Sequence, residues 1–226
     1  MSEEDNEEEL WKELEDSIIN CRACPRLVTY REQVSRKKKK EFATWTYWGR
    51  PLPGFGDRRA MLMIVGLAPA AHGGNRTGRM FTGDSSGAWL IRALYKAGLA
   101  NKATSERADD GLTLKGVYIT AVVRCAPPGN KPTPSEIANC RPYLQREIEL
   151  VKPRAFLALG GIAFNGLMDA LWLRRERFQH GKVIQTKYGW IICSYHPSRQ
   201  NTNTGKLTEE MLDATISRAK ELAGLS

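Results

Sequence analysis

Residues 61–79 read MLMIVGLAPAAHGGNRTGR: five apolar side chains in a row, then a loop holding four glycines. The run from Met61 to Val65 is too short for a helix and apolar throughout, which marks a strand buried on both faces. Gly66 through Arg79 has no periodicity, so a long loop leaves that strand at its C-terminal end. Three further runs resemble the first: Val117 to Val123, Phe156 to Leu159 and Trp190 to Ser194. Helical segments lie between and around them. One covers Leu10 to Ile19, with Leu10, Trp11, Leu14 and Ile18 on one face. Another is capped within Asp84 to Ser86 and reaches about Ala97; others start at Ser135, after Gly160–Gly161, and at residue 208. Apolar strands alternating with helices predict an α/β fold, a three-layer α/β/α sandwich around a mostly parallel four-stranded sheet. In such folds ligands sit beyond the C-terminal strand ends. The loops 66–84, 124–134 and 195–206 leave those ends and are expected to line one cleft.

The chain has 226 residues and a net charge of +9, but the charge is unevenly spread. Residues 1–20 hold nine acids and one lysine, which leaves 33 basic and 16 acidic residues in the other 206. A body that basic attracts polyanions, nucleic acid first among them. Residues 1–9 are expected to form a disordered acidic N-terminus, and 10–226 a single domain. No apolar stretch approaches the ~20 residues that span a bilayer, and no greasy segment follows a basic start. The expected compartment is therefore cytoplasmic and reducing, with no membrane partner. Arg36 to Lys40 is an unbroken basic run that calls for a partner or solvent.

Five cysteines in a reducing compartment favour metal ligation over disulfides. Cys21 and Cys24 form a C-x2-C pair; Cys125 closes the second strand and Cys140 lies in a predicted helix, whereas Cys193 reads as core packing. The four remaining cysteines suit a metal centre, and spacing alone leaves zinc and iron–sulfur open.

Two loops carry candidate chemistry. The first is neither a dinucleotide fingerprint nor a P-loop. Its glycines permit close approach of a flat ligand or phosphate, and Arg76 and Arg79 are suited to phosphate. Phe81, in a polar setting, either stacks on a base or packs under the loop. The second loop runs from Ser194 through His196, Ser198, Arg199 and Gln200 to Gly205, rich in groups that contact phosphate. His196 is the one histidine leaving a strand end. No Ser-His-Asp order or paired-histidine metal motif occurs, so chemistry here rests on one histidine, backbone groups and a carboxylate such as Asp84.

Taken in order, Cys21 and Cys24, the stretch from Gly66 to Gly73, the stretch from Asn75 to Arg79, Phe81 to Asp84, Cys125, Cys140 and His196 to Ser198 resemble the uracil-DNA glycosylase superfamily. The likeness is to its type 5 (type b) thermophilic iron–sulfur branch rather than to type 4. The resemblance implies a monofunctional glycosylase that hydrolyses the N-glycosidic bond of uracil, and of hypoxanthine or other deaminated bases, to leave an abasic site in base excision repair. It implies a 4Fe–4S cluster on Cys21, Cys24, Cys125 and Cys140. It makes Phe81 the ring that stacks on the extruded base, and His196 the donor to the base carbonyl. Gly66, Leu67, Ala68 and His72 would line the base pocket. Arg76, Arg79, Ser198, Arg199 and Gln200 would touch DNA, the loop after His196 acting as a wedge. Type 4 relatives carry an acid where Leu67 stands and an asparagine where Ala121 stands; Asp84 and Asn130 are taken to cover water positioning and base contact instead. The expected state is a monomer, with a sliding clamp as a further partner. A non-enzymatic nucleic-acid-binding module and a redox protein are the rival classes.

Overall fold

The computed structural model describes the backbone of residues 3–226 and the side chains from residue 5 onward. Helix α1 (Glu3–Ile19) takes in the acidic stretch from residue 3, where a disordered segment was expected; residues 1 and 2 lie outside the described residues. Its inner side buries Trp11, Leu14 and Ile18, and Trp11 packs on Tyr118 with ring centroids 5.6 Å apart. Its acids face outward, and Arg58 binds Glu8 at 2.7 Å and Glu15 at 2.8 Å. Pro25 opens α2 (Pro25–Lys37), a helix that periodicity does not reveal because its buried residues are only Leu27, Val28 and Arg31.

The remaining elements are β1 (Phe55–Gly56), β2 (Leu62–Gly66), α3 (Gly74–Thr77), α4 (Ser85–Lys96), β3 (Val117–Ala121), α5 (Pro134–Val151), β4 (Ala155–Leu159), α6 (Gly161–Ala170), β5 (Val183–Thr186), β6 (Gly189–Ser194), α7 (Arg199–Asn203) and α8 (Glu209–Ala223). Local chemistry explains several starts. Asp84 caps α4 by accepting from the Gly87 N–H. Thr133 and Glu136 form a reciprocal capping box on α5, with Pro134 at its first turn.

The sheet is mixed and six-stranded, in the order β1-β3-β2-β4-β6-β5. The four predicted strands are its parallel centre; β1 and β5 add antiparallel edges, so the expectation of four strands is corrected to six. The edges escape a search for apolar runs because β1 has two residues and β5 is only half-buried. Alternation sorts the central strands between two layers. Met63, Val65, Phe156, Ala158 and Ile191 pack with α1, α5 and α6 on one face. Leu62, Ile64, Ile119, Leu157 and Ile192 pack with α4 and α8 on the other. No helix among the described residues is long and apolar enough to cross a membrane.

One polar cluster lies inside this apolar body. Glu147 of α5 accepts from both terminal nitrogens of Arg124, at 2.8 and 2.6 Å, and from Tyr118, Thr120 and the Gly54 N–H. Arg124 and Glu147 are fully buried, and Arg124 returns its carbonyl to the Leu52 N–H. Removing one charge of such a pair strands the other. Glu147→Gln is expected to lower unfolding free energy by about 3–5 kcal/mol, read from the midpoint of chemical unfolding; a loss under about 1 kcal/mol would mean that the pair is not sealed from water.

Candidate active site at the C-terminal strand ends

The loops after β2 and β6 meet above the centre of the sheet. Phe81 and His196 face each other there, with ring centroids 6.1 Å apart and planes inclined by 31°. Two stacking contacts would need about 7 Å between rings, so a flat ligand would lie on Phe81 with its edge toward His196. Phe81 adopts a left-handed backbone, φ 48°, a conformation that costs free energy outside glycine. Two glycines make that placement possible. A methyl on Gly66 would lie 2.8 Å from Cε2 and Cζ of Phe81, and one on Gly87 would collide with the Phe81 carbonyl.

A polar lattice holds the Phe81 segment from beneath. Arg79 is buried and donates to Thr82, Ser105, the Ala108 carbonyl and both oxygens of Asp110. Burial pushes the Asp110 carboxyl up, but the N–H groups of Glu106, Leu112 and Arg107 together with Arg79 hold it well below the usual carboxylate range. Arg76, also buried, donates to the carbonyls of His72 and Gly83 and lies over the rings of Phe42 and Trp45, 3.8 and 4.1 Å from their centroids. Arg79 spends its donors inside the protein, and Arg76 commits its Nε and one terminal nitrogen to carbonyls there. Phosphate contact does not fit either of them, contrary to the expectation from sequence; the pattern of glycines around them could not show which way they turn.

Asp84 sits at the rim. One oxygen caps α4 at 2.9 Å, and a methyl on Gly73 would collide with the other. Burial raises its pKa, and the backbone N–H groups of Gly87 and Ser86 and the charges of Arg76 and Arg199 offset this only in part. His196 leaves β6 half-buried, and burial holds its imidazole at about 4, so the ring is neutral near pH 7. Neither ring nitrogen of His196 has a hydrogen-bond partner among the described residues, which leaves an N–H for a ligand. The residues after it form the short helix α7 rather than an open loop. Ser198 caps it, Asn201 donates to the His196 carbonyl at 2.8 Å, and Arg199 and Gln200 stand exposed.

Other expected residues fall elsewhere. Leu67 and Ala68 are half-buried and pack into the α1–α5–α6 layer, while Ala121 is buried beside Gly66. His72 is turned to Tyr47, with Nδ1 2.9 Å from the hydroxyl; burial, Lys39 and Arg76 lower its pKa. Asn130 is exposed in a turn at φ 56°. Sequence reasoning missed His180. Its Nδ1 accepts from the Tyr195 N–H at 3.0 Å, and its ring stacks on Tyr195 at 4.9 Å, fixing the residue before His196. The only signal was a histidine in a segment that showed no pattern.

The expected 4Fe–4S cluster is not supported. Among the described residues no group of three or more His, Cys, Asp or Glu side chains is placed to hold a metal ion. Burial pushes the Cys125 and Cys140 thiols up to about 11 and about 12. Cys125 accepts from Arg31 at 3.1 Å, and Cys24 from Asn139 at 3.4 Å. The four cysteines therefore do not fit the cluster. The N-terminal segment is held to the body by Trp11 in the core and by the two-pronged Arg26–Glu136 bond at 2.8 and 2.7 Å.

A three-layer α/β/α body with an aromatic ring facing a neutral histidine at the strand ends fits a base-recognising enzyme. Comparison with known proteins narrows it. The family described as "Uracil DNA glycosylase superfamily" matches residues 53–220. The chain is 49% identical over 207 residues to the type-5 uracil-DNA glycosylase of Pyrobaculum aerophilum, covering 92% of this chain and 91% of that one. It is 52% identical to the type-5 enzyme of Mycobacterium tuberculosis (94% and 82% covered) and 50% identical to that of Thermus thermophilus (92% and 96%). The chain belongs to the type-5 family of the uracil-DNA glycosylase superfamily. The iron–sulfur part of the expected resemblance is set aside.

The three histidines share one pH response. Burial lowers the pKa of each from its ordinary 6.5, to about 4 for His196. The unfolded chain then takes up protons before the folded one, so stability falls as pH drops from 6.5 toward 4 and is flat above that window. Imidazole NMR is expected to place the His196 midpoint near pH 4; an ordinary midpoint would show the ring open to water.

Proposed function

We propose that this chain is a monofunctional DNA glycosylase that removes uracil from DNA and leaves an abasic site, the first step of base excision repair. The facing of Phe81 and His196 across one narrow space carries the reading, together with membership of the type-5 family. The substrate range is proposed to include hypoxanthine and other deaminated bases, since Leu67 and Ala121 offer no polar side chain to read a uracil edge.

The damaged nucleotide leaves the stack at a cost of a few kcal/mol, least at a mispair. Phe81, held over Gly66, stacks on one face of the base. The C1′–N1 bond breaks with its electron pair on the base, and the N–H of neutral His196 donates to the base oxygen that gains charge. Such a fixed donor acts mainly on the transition state. A water oxygen then bonds to C1′. One of its protons passes through Asp84, whose raised pKa makes it the more willing acceptor, to the departing base. The products are free base and an abasic sugar, with no backbone nick. Ser198, Arg199 and Gln200 contact DNA from the exposed side of α7. Asn130, Arg76 and Arg79 are given no part in this scheme.

The proposal takes residues 10–226 as one catalytic domain, monomeric and acting in the cytoplasm on chromosomal DNA. A sliding clamp remains a proposed partner, tested by co-elution with the purified chain. The decisive assay offers the protein labelled duplexes carrying uracil, hypoxanthine, xanthine or thymine mispairs, and alkali reveals abasic sites. His196→Ala is expected to lower the single-turnover rate on U·G by about 10²–10³-fold while DNA affinity stays within about threefold. A rate close to that of the unaltered chain would remove His196 from the chemistry.

A further inference from the structure

A hollow of about 440 Å³ opens beside the catalytic loop, walled by Arg22, Arg31, Arg36, Arg50 and Trp48. Four guanidiniums meet a single carboxylate there, Glu32, which Arg22 already holds at 2.7 Å and Arg31 approaches at 4.0 Å. Arg36 also bears on that carboxylate electrostatically, so the hollow keeps an excess of positive charge. Arg36 and Arg50 are exposed and make no hydrogen bond or ion pair among the described residues. Arg31 is buried, and its Nε has no partner.

The wall is built, not a chance gathering of surface charge. The Trp48 N–H donates to the Arg76 carbonyl and the Gly49 N–H to the Asn75 carbonyl, both at 3.0 Å, which ties it to α3 in the loop leading to Phe81. Gly49, at φ 64°, comes so near α2 that a methyl on it would lie 2.6 Å from the Ser35 hydroxyl. The Trp48 indole donates to the Pro51 carbonyl and is 37% exposed.

We propose that this hollow is a phosphodiester seat, gripping the DNA backbone beside the nucleotide that is excised. Planar guanidiniums that lack carboxylate partners match phosphate oxygens in pairs. Trp48 offers a flat wall for the sugar or base that the phosphate joins. Because the Trp48–Gly49 wall is hydrogen-bonded to the loop that leads to Phe81, a strand gripped there is held in register with the base site. Arg36 opens the run Arg36 to Lys40, so that charge extends the seat instead of waving as a free arm. The choice of DNA as occupant rests on the glycosylase reading.

The test is binding of the full chain to a uracil duplex between about 50 and about 200 mM salt. The variants are Arg36→Gln with Arg50→Gln, and, as a control on distant helices, Arg146→Gln with Arg218→Gln. The first pair is expected to flatten the slope of log affinity against log salt by about 1.8, two phosphate contacts at about 0.9 each. The control pair leaves the slope unchanged. An unchanged slope in the first pair, or an equal loss in the control, overturns the seat. So does competition by inorganic phosphate for the hollow with no change in DNA slope, which would mean a free-anion site. Uracil release from the same preparations is read separately: altered slope without base release would sink the glycosylase reading and leave the seat standing.

Discussion

Glu147 is the point on which the body of this protein is fastened. Its two oxygens take five hydrogen bonds, two from Arg124 and one each from Tyr118, Thr120 and the Gly54 N–H. Those donors belong to β3, to the loop after it and to the strap before β1, while the acceptor belongs to α5. A buried charge pair adds little to stability against an apolar alternative, but leaving it half made is costly. The cluster therefore acts as a condition on assembly: helix, strand and strap close together or not at all. Through Leu52 and Arg124 the same cluster sets the strap that runs from Trp48 to β1.

The site depends on that frame in a second way. The chain after β2 must rise, turn at Phe81 with positive φ and enter α4. Arg76 and Arg79 hold that path by filling their donors with carbonyls, hydroxyls and Asp110. Two of the cations that sequence assigns to phosphate, Arg76 and Arg79, are thus structural. Arg36 and Arg50, on a helix and a strap at the rim, make no side-chain hydrogen bond or ion pair among the described residues, and exposed Arg199 gives only its Nε, to the Ser85 hydroxyl. The division follows burial: a guanidinium inside the protein must meet its acceptors there, and one at the surface keeps its donors for a polyanion.

The acidic N-terminal helix fits the same electrostatic plan. Its carboxylates meet Arg58 on the side of the molecule where Trp11 packs against Tyr118. Trp11 and a few ion pairs dock this helix on the body.

The sequence by itself determined the layers and the cleft. Runs such as MLMIV at 61–65 and the helical periods between them need only local spacing, and loops at the ends of parallel strands form a cleft by topology. The placement of Phe81 and His196 at the strand ends was legible because an aromatic in a polar loop and a lone histidine at a strand end conflict with packing. Tertiary structure alone decided the edge strands, helix α2, the fate of Arg76 and Arg79, the turning of His72 toward Tyr47 and the bracing of Tyr195 by His180. Those outcomes depend on partners distant in the chain, among them Asp110 for Arg79 and Tyr47 for His72. A side chain's direction is set by who receives its hydrogen bonds, and no local pattern carries that information.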